Sequence, residues 1–326
     1  MKKKRKRIFV FLFLLLITSL ILLMNDTLGH EKDKKIYNIS VITRGKNSES
    51  SMIMRQGIDQ AASEMDVNIR FLTLSEDNST AEQKEVIDKE IKNKTDAIII
   101  SPTDYEQMAE SIESAMKQMP VILIESTIKS DKKLLSISCD NYNLGVSLGE
   151  EVIKNKNIGK NIAVVRNNLE CSSIKERYDG FMSVMNRIGN NCTFLQFSDS
   201  NQTTYYNESK KLLVNNNVDV VVTLDSDELE NVSQAKKDVE NINKKISDVQ
   251  IYGVGSTSKI ISFLEDKIIN ATAVENEFNI GYLSVKTAVD KLNGKDMNKN
   301  TISSTVINKE NMYSEQNQKL LFPFIG

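Results

Sequence analysis

The sequence predicts an α/β protein of two doubly wound parallel-sheet lobes, preceded by one transmembrane helix. Three observations carry this. The stretch Asp96-Ala-Ile-Ile-Ile-Ser-Pro-Thr-Asp104 reads as a short strand buried on both faces that runs straight into a turn and a helix start. From Ile36 onward, apolar runs of strand length alternate with amphipathic stretches of helix length. At 326 residues the chain is too long for one small core and fits two lobes of ordinary size.

Taken in order, the first element is Ile8 to Met24, an apolar run broken only by Thr18 and Ser19 and preceded by six basic residues, Lys2 to Arg7. Those charges hold the N-terminus in the cytoplasm and send the rest outward. The run is near the lower length limit for a bilayer span. No Ala-x-Ala cleavage site and no cysteine for lipidation follow it, so residues 1–35 are read as a basic start, an uncleaved signal anchor over 8–24 and a polar tether. Strands are then expected at 37–43, 67–72, 97–100, 121–124 and 134–138. A second series follows at 162–166, 193–196, 218–224, 249–254 and 269–274. Helices are expected between them at 52–65, 82–92, 143–154, 174–188, 205–214, 229–241 and 278–292, with another that follows a cap at Thr103 or Asp104 and runs to about Lys117. Strand–helix–strand order implies right-handed crossovers and helices on both sheet faces.

Composition excludes several functions. Apart from its basic start, the chain is acidic, which argues against nucleic acid as a partner. The single histidine, His30, lies beside the apolar run, so Ser-His-Asp, Cys-His and histidine-based zinc chemistry are excluded from the main body. Cys139, Cys171 and Cys192 lack CxxC spacing and read as small buried hydrophobes with room for one bridge. Gly253-Val-Gly-Ser-Thr257 follows a strand and opens a helix. It lacks the third glycine of a dinucleotide loop, and no Gly-Lys-Ser/Thr element occurs. The carboxylate pairs Asp225/Asp227 and Glu275/Glu277 read as solvated faces or helix caps. No nucleophile is matched to a base, so no enzyme and no cofactor or metal are expected.

Five motifs together carry a resemblance: Asp96 to Asp104, Pro120-Val-Ile-Leu-Ile-Glu125, Cys139-Asp-Asn-Tyr-Asn-Leu-Gly145, Lys175-Glu-Arg-Tyr-Asp-Gly-Phe181, and Ala271-Thr272 with Asn279-Ile-Gly281. In order and spacing they resemble the type 1 periplasmic binding proteins, the ribose-binding family that also supplies the effector domain of the lac repressor. The resemblance covers Ile36 to about Asn293, and no helix-turn-helix precedes it. It implies a three-segment hinge and a ligand in the cleft between lobes. One lobe would comprise 36–139 plus 276–301 and the other 140–275 plus 302–326.

The resemblance also implies a site. The loop from Arg44 to Ser51 matches the position of two sugar-stacking aromatics, replaced here by Ser50 and Ser51, with Arg44 and Ser48 able to compensate by hydrogen bonding. Glu125 and Ser126 match an Asp-Arg pair, and Lys175 matches a ligand-binding arginine, while Arg177 reads as structural. Ser226 matches a cleft asparagine, Glu275 matches a hinge-side glutamine, and Gly255 replaces an aspartate. The implied ligand is a small polar molecule, a sugar or sugar-like. It would be bound for sensing through a partner such as a sensor histidine kinase, or for delivery to an ABC permease. The alternatives are an anchored α/β enzyme acting on a phosphorylated small molecule, and a scaffold with a degenerate pocket.

Overall fold

The computed structural model describes residues 4–6, 11–19, 35–45, 48–197, 202–215, 217–240, 244–295 and 301–322. Two compact units result, 1–36 and 37–326. In the first, residues 11–19 are helical, and their large apolar side chains from Phe11 to Ile17 are exposed. Among the described residues no helix is long and apolar enough to cross a membrane. The expected anchor over 8–24 lies partly outside the described residues, at 8–10 and 20–24.

The second unit contains two six-stranded sheets. In the first, β1 (Asn38–Ile42), β2 (Asn68–Leu72), β3 (Ala97–Ile100), β4 (Val121–Ile124) and β5 (Leu135–Cys139) are joined by β11 (Thr301–Ile302), in the order 11-5-4-3-1-2, all parallel. In the second, β6 (Ile162–Val165), β7 (Cys192–Leu195), β8 (Val220–Val222), β9 (Gln250–Val254) and β10 (Ala271–Glu275) are joined by β12 (Ser304–Asn308), in the order 12-10-9-8-6-7. Only β12 runs antiparallel, against β10.

The central strands are apolar on both sides because both sides are covered. In the first lobe Ile39, Val41, Ile99 and Ile122 share a core with Met54, Ile58 and Ala61 of α1 (Glu49–Met65). The alternate residues Ile42, Ile98, Ile100 and Leu123 pack on Ile87 of α2 (Thr80–Asn93) and Ile112 of α3 (Ala109–Met116). The second lobe repeats the scheme. Val164, Val222 and Ala273 meet Leu148 of α4 (Asn141–Lys154) and Phe181 of α5 (Ser172–Arg187). Ala163, Val221 and Ile251 meet Leu212 of α6 (Gln202–Asn215), Val232 of α7 (Ser226–Val239) and Leu264 of α9 (Ser258–Glu265), the single turn α8 (Lys244–Ser247) lying between α7 and β9. Each fully buried isoleucine or valine stabilises the fold by roughly 1.5–3 kcal/mol.

The chain passes between the sheets three times. It leaves β5 for α4, leaves β10 for α10 (Glu277–Leu292), and steps from β11 directly to β12 before closing with α11 (Glu315–Leu321). Helix α10 returns to the first lobe and lies on α1, where Tyr282 donates to Glu64 at 2.6 Å. Helices α4 and α5 cross with almost no separation. A Cβ on Gly180 would lie 2.0 Å from the Tyr142 carbonyl oxygen, and one on Gly145 would lie 2.1 Å from that of Arg177. The glycines in two of the five sequence motifs are therefore packing requirements.

One element starts later than expected. Asp104 accepts from the backbone N–H groups of Glu106 and Gln107, closing a turn, and α3 begins only at Ala109 with no side-chain cap. The three cysteines are free thiols, Cys139 and Cys171 buried and Cys192 half-buried.

Candidate functional site

In both sheets the strand order reverses beside the first strand, and ligands of open α/β sheets bind at such points, outside the carboxyl ends of the strands. A cavity of about 160 Å³ occupies that place, lined from both lobes. This is below the roughly 300 Å³ at which pockets for drug-sized molecules begin, so it suits a small ligand.

The first lobe contributes strand ends and one helix start. Arg44 follows β1, and Asp77 and Asn78 follow β2. Ser48, Ser50 and Ser51 lie at the start of α1, which Ser48 caps by accepting from the Ser51 N–H. Glu125 follows β4 and is held with φ near 59°, in the left-handed region that a side chain rarely adopts. Its carboxylate accepts from Ser101 at 2.6 Å and lies 3.7 Å from the Arg44 guanidinium.

From the second lobe come Asn168 after β6, Ile174 and Arg177 of α5, and Tyr205 of α6. Asp225 caps α7 through the Glu228 N–H and brings Ser226 and Asp227 to the wall. Gly255 follows β9 with φ near 144°. A Cβ there would lie 2.8 Å from that of Ser226 and 2.7 Å from the Ile260 Cδ1, so glycine at this position leaves room for Ser226. Glu275 ends β10, and Glu277 opens α10.

Arg177 organises the floor. Its guanidinium donates to Asn141 Oδ1 at 2.8 Å, to the Leu224 carbonyl at 3.2 Å and to Glu275 Oε1 at 2.6 Å. One buried side chain thus ties the start of α4, the end of β8 and the end of β10. Burial pulls the Arg177 pKa down, but Glu275, with Cys139 and Glu125, together more than offset this and hold it raised. Arg44 behaves alike: burial opposes its charge, while Cys171, Glu125, Asp225 and Glu275 raise its pKa on balance. The carboxyls respond in the opposite sense. Burial, reinforced by Glu275 and Glu125 against a hydrogen bond from Ser50, pushes Glu277 up to about 8. Burial and the neighbouring Asp225 raise Asp227 to about 7, and burial also raises Asp225.

Of the site residues expected from sequence, Arg44, Ser48, Ser51, Glu125, Ser226 and Glu275 lie together on this wall. Ser126 and Lys175 do not. Ser126 is buried behind it, hydrogen-bonded to Ser173 at 2.8 Å and to Cys171. Lys175 sits two residues from Arg177 on α5, about 200° around the helix, and pairs with Asp179 at 2.6 Å in solvent. Helical phase therefore puts Arg177 in the cavity and Lys175 outside. The carboxylates read as caps or solvated faces do line the cavity. Asp225 is cap and wall together, while Glu275 and Glu277 are each only 8 % exposed. Their position directly after a fully buried strand was the available signal; nothing in the sequence singled out Tyr205 or Asn168.

The lobes also bond each other around the rim. The Tyr105 N–H donates to the Glu170 carbonyl at 2.7 Å, and the Thr127 N–H donates to Ser172 Oγ at 2.7 Å. Arg44 reaches across to Cys171, and the Ser258 N–H donates to Glu49 at 2.8 Å. Among the described residues no group of His, Cys, Asp and Glu is arranged to hold a metal ion.

Two lobes around a small polar cavity at their strand ends form a cleft suited to holding a small molecule. A family model described as a periplasmic binding protein domain matches residues 39–296, and the chain belongs to that family. The ribose import binding protein RbsB of Bacillus subtilis (strain 168) is 23 % identical over 273 residues, which cover 83 % of this chain and 87 % of the relative. A carbohydrate transporter solute-binding protein from Agrobacterium radiobacter, solved in complex with D-arabinose, superposes with a TM-score of 0.82 at 21 % identity, covering 88 % of this chain and 99 % of that one. The structure of a XylFII-LytSN complex gives 0.76 at 24 % identity, covering 85 % and 99 %.

Proposed function

We propose that this protein is an extracellular solute-binding protein that holds a sugar or sugar-like molecule between its lobes, anchored to the membrane through residues 8–24. The convergence of strand-end side chains from both lobes on one small polar cavity carries this reading. Arg44, Ser48, Ser51, Glu125, Ser226 and Glu275 are its ligand-binding residues, with Arg177 holding Glu275 in place. The lobes are 36–139 with 276–301 and 140–275 with 302–326, hinged at the three passages between the sheets. A ligand touching both walls favours the closed arrangement because only there are both sets of contacts made.

In the sensing role the signal passes to a partner membrane protein, a sensor histidine kinase. The complex of XylFII with LytSN, a neighbour in fold, supports a protein partner for this fold. The name of the ribose import relative supports the other role, delivery to an ABC permease. Thermal melting of the full chain in detergent against pentoses, hexoses, polyols and nucleosides tests the reading. A ligand at 100 times its Kd stabilises by about 2.7 kcal/mol, and a panel with no stabilising member refutes it. Affinity capture from the membrane then separates the roles, because a kinase partner supports sensing and a permease refutes it.

A further inference from the structure

We propose that the cleft ligand carries a positive charge together with its hydroxyls, as in an amino sugar or aminocyclitol. This rests on the cleft reading above and names the ligand class within it. The charge balance of the wall is the first observation. Among the described residues, Asp77, Glu125, Asp225, Asp227, Glu275 and Glu277 line the cavity, against Arg44 and Arg177. The two guanidiniums already have carboxylate neighbours, Glu125 at 3.7 Å and Glu275 at 2.6 Å. An anionic ligand would have to displace them. Among the described residues no lysine or arginine forms an ion pair with Asp225, Asp227 or Glu277.

Glu277 supplies the second, independent observation. Its side chain is more than nine-tenths buried and lines the cavity. Oε1 accepts from Ser50 Oγ at 2.5 Å, but Oε2 has no hydrogen-bond partner. A buried acceptor without a donor is costly, so a ligand donor placed there is favoured. A hydroxyl would satisfy the geometry alone, whereas an ammonium also pairs with the acids of this wall as they give up their protons. The third observation is the scarcity of rings. Among the described lining residues Tyr205 is the sole aromatic, so stacking on a sugar face contributes little and polar contacts must carry the affinity.

The groups facing Glu277 are Ser50, Glu275, Glu125 and Arg177; burial, Glu275 and Glu125 outweigh Ser50 and Arg177 and keep its proton on at neutral pH. A docked ammonium reverses that balance. The proton leaves Glu277 for the buffer, and an ion pair forms in its place.

Isothermal titration of the full chain in detergent tests this with D-glucosamine and D-galactosamine against D-glucose and D-galactose, at pH 7 in two buffers of different ionisation enthalpy. The amine-bearing member of a pair should bind at least about tenfold tighter and lose that margin as salt rises. It should also release a proton that its neutral counterpart does not. Glu277→Gln and Asp227→Asn should each reduce the release and shrink the preference, with the larger loss of release in Glu277→Gln. Circular dichroism establishes that both variants are folded. Neutral sugars binding as tightly as their amines would overturn the charge assignment and leave the cleft reading standing. No binding by either class would overturn both.

Discussion

Replacing Glu277 by glutamine separates a buried carboxylic acid from a merely buried polar group, and the separation lies in the pH dependence. In the folded chain the Glu277 carboxyl titrates near 8, against an ordinary value of 4.5. A raised folded pKa means that the folded state holds a proton which the unfolded state has released at any pH between the two values. Stability is therefore undiminished below about pH 4.5, falls as pH rises towards 8, and levels off above it. At about 1.36 kcal/mol per pH unit, the loss accumulated between pH 5 and pH 8 comes to about 3 kcal/mol. Glutamine keeps an acceptor for Ser50 and does not titrate. Its amide N–H groups lack a partner at Oε2, which costs about 1–3 kcal/mol at every pH. The offset between variant and wild type is thus uninformative, and its slope is the test. In thermal melts from pH 5 to pH 8, the variant should gain on the wild type by about 3 kcal/mol, or about 6 °C for a body of this size. Parallel melting curves across that range would refute the buried-acid reasoning.

Other side chains give sharper yes-or-no outcomes. Arg177→Met leaves Glu275 buried without its cation and should lower stability by about 3–5 kcal/mol in urea unfolding; a loss below 1 kcal/mol would mean that the floor does not depend on the pair. Gly180→Ala drives a methyl into the Tyr142 carbonyl and should destabilise by about 1–3 kcal/mol, with unchanged melting contradicting the close helix crossing. Lys175→Ala, which removes only an exposed pair, should leave ligand affinity within twofold in calorimetry, and a tenfold loss would return Lys175 to the site. Gly255→Asp supplies the acid that the resemblance led one to expect, yet it strains a backbone at φ near 144° and crowds Ser226. It should weaken ligand binding and melting temperature together; a tighter-binding variant would argue against the fit between these two residues.

The central strands were readable because burial on both faces leaves a continuous apolar signature, as in Ile98 to Ile100. Strands β11 and β12 were not, since Thr301 to Asn308 is short, polar and at a sheet edge, where apolar runs are not required. The start of α3 was misplaced because an aspartate that closes a turn and one that caps a helix look alike in sequence. Site residues at strand ends, such as Arg44, Glu125 and Glu275, could be located because the topology sends strand ends to the cleft. Residues on helices depend on rotation about the axis. Two positions separate Lys175, to which the resemblance pointed, from Arg177, which lines the cavity. The acids after β8 and β10 were visible but discounted, because a carboxylate at a helix start has an ordinary capping role whether or not a cavity lies beside it.

If the cleft serves sensing, the rim bonds between the lobes bear on how large a signal the molecule sends. Each contact such as Tyr105 to Glu170 or Thr127 to Ser172 contributes about 0.5–1.5 kcal/mol to the shut arrangement, with or without cargo. A chain that favours shutting by itself loses little affinity to the work of closing, since the competent population is already large. The same preference narrows the difference in population between loaded and unloaded molecules, which is all that a neighbouring receptor can read. Sensitivity and dynamic range are thus set against each other at Ser126, Ser172 and Glu49, residues that need never touch the ligand.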